Sequence, residues 1–219
     1  MPGGDGEVAV RMARSMQARC RELTVIVPDI AKSAATILAM GAHWILMGPT
    51  SDLGPVDPQF PVGAGFGNLV SAKDIIAAVQ AAEAAITAQP ETYPLHAALL
   101  SDVTALQVQQ ARSSLERTED LVEEALKSHP GRSNRDVQLL KRRLRKPLIE
   151  LPKEHSAVFG AADAARVGLP VRQVDPRDPQ WQLIWRLFAK YLAMGAGPTV
   201  AVYEGVLASH IHPQVSDGT

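Results

Sequence analysis

Residues 25–36, Val-Ile-Val-Pro-Asp-Ile-Ala-Lys-Ser-Ala-Ala-Thr, constrain this chain more than any other segment. A β-branched run stops at a proline and an acid, and an apolar helical pattern begins directly after Ser33. The order predicts strand, tight turn, helix, with Ser33 at or just before the first helical turn. A serine in that place lies beside free N–H groups and the positive end of the helix dipole. The small neighbours Ala31, Ala34 and Ala35 let another backbone come close. A serine nucleophile for acyl transfer needs such a setting. A helix cap would use the same residue.

The flanking pattern extends this unit. Residues 7–20 predict a helix through Val8, Ala9, Met12, Ala13 and Met16, and residues 23–28 a buried strand. Residues 34–41 predict a short helix ending at Gly41, and 43–47 a second strand. Strand, helix, strand at this spacing is a βαβ unit, which favours a right-handed crossover and a parallel sheet. Residues 48–70 are rich in glycine and proline and read as a loop. Loops at the carboxyl ends of parallel strands tend to line sites. Beyond them come helical patterns at 71–88, about 99–128, 136–146, 160–167 and 178–192, with a late strand at 171–174. The tail from His210 reads as frayed.

The motifs fall in a specific order: Pro2-Gly3-Gly4, then Ser33-Ala34-Ala35-Thr36, then Leu53-Gly54-Pro55-Val56-Asp57-Pro58-Gln59. This set resembles the ClpP/crotonase-like serine peptidases, and most closely the serine dehydrogenase proteinase family related to signal peptide peptidase A. The resemblance is strong over residues 2–80 and weaker from His155 to Trp185. It implies an α/β fold, ClpP/crotonase-like, with a parallel sheet core and a helical C-terminal half. The expected organisation is one domain over 1–219, with a nucleophile-bearing α/β part at 1–90 and a mainly helical part at 95–219. In the family a β-strand precedes the Pro-Gly-Gly turn. Met1 occupies its end here, so the expectation is a chain lacking one or two N-terminal strands.

The resemblance also implies a chemistry. Ser33 is the expected nucleophile of a serine-type peptidase, and the turn at Gly3 and Gly4, with the N–H groups of Gly4 and Ala34, is the expected oxyanion and substrate-binding element. Removing one such donor typically costs about 100- to 1000-fold in rate. ClpP-like enzymes take their base from a histidine near the 52–60 loop, where this chain has none. Signal peptide peptidase relatives use a lysine, and Lys73, which opens the helix after the glycine-rich loop, is the expected base of a Ser–Lys dyad. A solvated first-turn lysine is its plain alternative. Lys32 adjoins Ser33, and neighbouring side chains in a turn usually diverge. His43 and His155 read as structural contacts, and Asp57 as a residue that fixes its own turn through nearby N–H groups. Two other functions compete: a non-catalytic, ClpP-like interaction protein or inactive homologue, and a crotonase-like acyl-CoA enzyme.

The bulk properties narrow the partners. The 219 residues carry a formal net charge of −1, which gives no reason to expect nucleic acid. The basic run Lys141 to Lys146 is short, lacks interleaved aromatics, and reads as a solvated helix face or a contact with acids. Cys20 is the only cysteine, suits a reducing, cytoplasmic setting, and is expected to be buried or half-buried within the first helix. No apolar run reaches the roughly 20 residues of a membrane span, so any anchor would lie upstream. No cofactor or metal is expected: Gly63, Gly65 and Gly67 lack the context of a dinucleotide fingerprint, and His210 and His212 lack companion ligands. The expected partners are a peptide or protein substrate and further copies of the chain, with Trp181 to Tyr191 as a subunit contact.

Overall fold

The computed structural model describes residues 4–62, 69–150, 157–195, 200–207 and 209–213. Helix α1 (Gly6–Gln17) starts at Asp5, whose carboxylate accepts the N–H groups of Glu7 and Val8 at 2.7 and 3.2 Å. It buries Ala9, Val10 and Ala13. The helix stops before Cys20, which is exposed, its thiol donating to the Met16 carbonyl. The burial expected for Cys20 is thereby corrected: α1 ends at Gln17 and the cysteine belongs to the turn after it.

Strands β1 (Thr24–Val27) and β2 (Ile30–Ala31) lead into α2 (Ala34–Met40), and β3 (Trp44–Met47) follows. β1 and β3 pair in parallel from Thr24 with Trp44 to Val27 with Met47, as the βαβ pattern requires. Strand β1 is the sheet's edge and Ile26 is exposed, so it is less buried than its composition suggests. Gly41 caps α2 at φ −78°, so no left-handed turn calls for glycine. Close packing does: an added Cβ would lie 2.7 Å from Ser128 Oγ and 2.9 Å from Ala13 Cβ.

The glycine- and proline-rich segment holds more pairing than a loop would. It contains β4 (Asp52–Leu53), β5 (Gln59–Pro61) and β6 (Leu69–Ser71). β4 runs parallel to β2, and β5 and β6 form an antiparallel pair. Gly63, Gly65 and Gly67 lie outside the described residues. Helix α3 (Ala72–Ala88) comes next. Pro90 and Pro94, expected to interrupt, instead start a 3₁₀ turn at Pro90–Thr92 and the helix α4 (Tyr93–Leu99). Both prolines occupy first-turn positions, where the missing N–H costs no hydrogen bond.

Helix α5 (Ala105–Ser128) is the longest element. It opens on a reciprocal capping box between Thr104 and Gln107, which is why it begins several residues after the apolar pattern does. Helix α6 (Asn134–Arg145) uses the same device with Ser133 and Asp136, then widens into a π-turn over Lys146–Glu150. The basic residues of α6 face acids of α5: Lys141 meets Glu123 at 2.8 Å and Arg145 meets Glu119 at 3.1 Å. Strand β7 (Phe159–Gly160) pairs antiparallel with β4. Helix α7 (Ala161–Val167) ends at Gly168 with φ 99°, and β8 (Val171–Gln173) joins β3 in parallel. The main sheet is therefore β1-β3-β8, all parallel, as the expected α/β fold with a parallel sheet core requires.

Helix α8 (Pro179–Ala193) buries Trp181 alone, against Gly48, and exposes Leu183, Trp185, Leu187 and Leu192. Strands β9 (Val200–Glu204) and β10 (Ser209–Pro213) form an antiparallel hairpin. The tail expected to fray from His210 is thus paired as far as Pro213. No helix among the described residues is long and apolar enough to cross a membrane.

The core joins one face of the main sheet to α1, α2, α5 and α6. Ile37, Met40, Ile45, Met47, Leu53, Val122, Leu126 and Leu144 are all buried in it. Each such side chain contributes about 1.5–3 kcal/mol when removed from water. At the sheet's amino end, His43 accepts the Leu23 N–H at 3.0 Å and its ring lies 4.4 Å from that of His129. Arg132 donates from there to the carbonyls of Met40 and Leu126, joining the ends of α2 and α5. The core thus fixes α2 rigidly, and α2 carries Ser33 at its head.

Candidate active site

Ser33 holds the N-cap position of α2, yet its side chain makes no capping bond. Its backbone lies at φ 50° and ψ −118°, and it is the only non-glycine residue with positive φ among the described residues. These angles match the first central position of a type II′ turn, which favours glycine because a Cβ is crowded there. A sharp, strained strand-to-helix turn is also the setting that exposes a nucleophilic serine in acyl-transfer enzymes. The helix-cap alternative lacks the bond that defines it.

The turn is held from several sides. The Ser33 N–H donates to the Pro55 carbonyl at 2.9 Å, and the Gly54 N–H to Ala31 at 2.7 Å, so the β2–β4 ladder continues past both strands. Buried Thr36 donates its hydroxyl to the Ala31 carbonyl at 2.6 Å. Lys32 turns away from Ser33, as expected of adjacent side chains. It is buried, pairs with the buried Asp52, and donates to the Ala157 carbonyl at 3.0 Å.

Ser33 opens into a cleft of about 230 Å³ whose walls come from three places. The first is the turn before α1, with Gly4 and Asp5. The second is Val56, Asp57 and Pro58, so the segment after β4 does line the cleft. The third is α5, with Ser114, Arg117, Thr118 and Leu121. The N–H groups of Gly4 and Ala34 make no hydrogen bond among the described residues. Gly4 has φ 155°, which a residue with a Cβ rarely adopts. Gly3 lies outside the described residues, as does His155.

Asp57 is the buried carboxylate of the cleft. It accepts the Ser71 hydroxyl at 2.8 Å and faces Lys73 Nζ at 3.9 Å. Two of its partners therefore stand at the start of α3. Lys73 itself lines a neighbouring cleft of about 470 Å³ with Arg112, Glu116, Glu119, Asp120 and Arg145. Ser33 and Lys73 thus sit in adjoining clefts, and Asp57 contacts both the first cleft and the lysine. At the rim, Arg117 grips Glu7 through two bonds of 2.6 and 2.8 Å and reaches Glu124 at 2.8 Å. The Arg117 hydrogen bonds hold the Glu7 carboxyl below its ordinary range. Among the described residues no group of three or more histidine, cysteine or acidic residues is arranged to hold a metal ion.

Several of these partners carried no signal in the sequence. Nothing at Lys32 marks it as buried, and Ser114, Arg117 and Thr118 sit in an ordinary amphipathic helix some 80 residues beyond Ser33.

An uncharacterised protein of Methanocaldococcus jannaschii is 43% identical over 58 residues, which cover 26% of this chain and 20% of that protein. The chain thus spans about a fifth of the length of the curated relative it matches. No solved structure matches it. A profile of the ClpP-like SDH-type serine proteinases matches residues 1–129, a span that takes in the turn at Gly4, Ser33, the Asp57 wall and all of α5. With more than half of its length matched, the chain belongs to the ClpP-like SDH-type serine proteinases.

Proposed function

We propose that this chain is a serine peptidase whose nucleophile is Ser33. The observation that carries the reading is the backbone of Ser33, strained at positive φ and free of any capping role. Such strain persists where function uses it and the surroundings over-determine it. In the proposed reaction Ser33 Oγ bonds to the peptide carbonyl carbon and gives its proton to a base. The N–H groups of Gly4 and Ala34, with Gly3 completing the turn, take up the oxyanion. The C–N bond then breaks, the departing amine takes a proton, and water cleaves the remaining ester.

Lys73 is the proposed base. To act it must be a neutral amine within reach of Ser33 Oγ, which requires it to leave Asp57, since that carboxylate at 3.9 Å on the wall of Ser33's cleft favours the charged ammonium. The substrate is a peptide or a segment of protein. The exposed apolar residues of α8 favour assembly with further copies, and the exposed thiol of Cys20 suits a reducing, cytoplasmic setting.

One observation favours a non-catalytic, ClpP-like interaction protein: neither histidine nor lysine lines Ser33's cleft among the described residues. A serine-reactive fluorophosphonate separates the two. The peptidase reading expects a covalent adduct on Ser33, lost in Ser33→Ala and strongly slowed in Lys73→Ala. A folded protein with no adduct at any pH from 6 to 10 would favour the interaction protein.

A further inference from the structure

We infer that the buried Lys32–Asp52 pair is a positioning clamp for Ser33, an inference that rests on the nucleophile reading above. Lys32 is covalently next to Ser33, so its anchoring fixes the turn from the strand side. Its ammonium is held by the Asp52 carboxylate and the Ala157 carbonyl, and both lysine and aspartate are buried. Asp52 is itself fixed. It sits on β4 between β2 and β7, and its other oxygen accepts the Phe159 N–H at 2.5 Å.

The lysine stem is confined as well. It crosses Gly54 so closely that a Cβ there would lie 1.7 Å from Lys32 Cδ. A glycine in the loop thus makes the channel through which the lysine reaches its partner. Lys32 does not line the Ser33 cleft. The pair therefore acts on the reaction through the backbone, by holding Ser33 at φ 50° against its tendency to relax. A misplacement of about 1 Å at a reacting group can cost on the order of 100-fold in rate.

The test compares Lys32→Met, Asp52→Asn and the double variant Lys32→Met/Asp52→Leu with the parent chain. Removing one partner strands a buried charge. Replacing both with apolar groups of similar volume often preserves the fold, so the double variant keeps the comparison readable. Fluorophosphonate inactivation is followed as a function of probe concentration. The clamp predicts that the maximal inactivation rate of the folded double variant falls by about 10- to 100-fold while half-saturation stays near the parent value. A parental rate in a folded double variant would overturn the clamp and leave the peptidase reading intact.

A second readout does not depend on activity. Ser33→Gly relieves strain only while the turn is held strained. The clamp predicts that this substitution raises the melting temperature of the parent but has little effect in the double variant. An equal rise in both backgrounds means that Ser33 is strained without the pair, and it refutes the clamp whether or not the parent reacts with the probe.

Discussion

The state of Ser33 can be tested by stability alone, through two substitutions that both remove the hydroxyl. A non-glycine residue in a sparsely populated backbone region costs about 1–3 kcal/mol. Ser33→Gly removes that cost, and the added freedom of glycine in the unfolded chain offsets about 0.4–1 kcal/mol of the gain. The net stabilisation is about 0.5–2 kcal/mol. For a chain of this size each kcal/mol shifts the melting temperature by about 2–4 °C. Ser33→Gly should therefore raise the midpoint by about 1–8 °C. Ser33→Ala keeps the Cβ, hence the strain, and loses a hydroxyl that caps nothing, so its midpoint should stay near the parent value. Thermal unfolding followed by circular dichroism reads both. The helix-cap account predicts a different order. Loss of a cap costs about 0.5–2 kcal/mol with alanine and only a few tenths with glycine, and neither variant gains. A lower midpoint for Ser33→Ala with no rise for Ser33→Gly would refute the strained-nucleophile argument.

Two further outcomes follow from the packing and charges. Gly41→Ala drives a methyl against Ser128 Oγ and Ala13 Cβ, at the junction of α1, α2 and α5, and should lower the melting temperature through an overpacking cost of about 1–3 kcal/mol. His129 has its pKa lowered by burial, by Arg132 and by His43, so the fold prefers it neutral. Its contribution is intact above the unfolded-state value of 6.5 and declines as pH falls from there through the lowered folded value. His129→Gln should flatten the denaturation midpoint measured between pH 7 and 5, and an unchanged slope would show that other groups set it.

The sequence made the βαβ unit legible because its signals are local. β1, α2 and β3 each announce themselves by periodicity and by a stop at Pro28 or Gly41, and one parallel pairing follows from their order. Ser33's place at the strand-to-helix turn was readable for the same reason. Its backbone angles were not, since nothing within the turn distinguishes a relaxed helix cap from a serine held at positive φ. That difference comes from Pro55, Gly54 and Asp52, more than 18 residues away, which bond to or confine the turn. The short strands β4 to β6 were hidden because glycine and proline dominate the local signal while their pairing partners are distant. Cys20 was misplaced by assuming that helical periodicity continued past Gln17. The bonds of Asp57 to Ser71 and Lys73 were also out of reach, since they cross residues that no local pattern connects.

Helix α5 separates two kinds of evolutionary change in this molecule. The proposed nucleophile and its proposed backbone donors come from the first 34 residues, whereas one wall of the cleft is Ser114, Arg117, Thr118 and Leu121 on a rod about 36 Å long. The rod is secured by Leu121, Val122, Ala125 and Leu126 in the core and by Arg117 on Glu7, so half-buried Ser114 is the cleft-facing position least needed to hold it in place. Substitutions at Ser114 can change what the cleft admits without disturbing the turn at Ser33. Selectivity and reactivity can therefore drift on separate schedules, and descendants of such a chain could exchange substrates while retaining one chemistry.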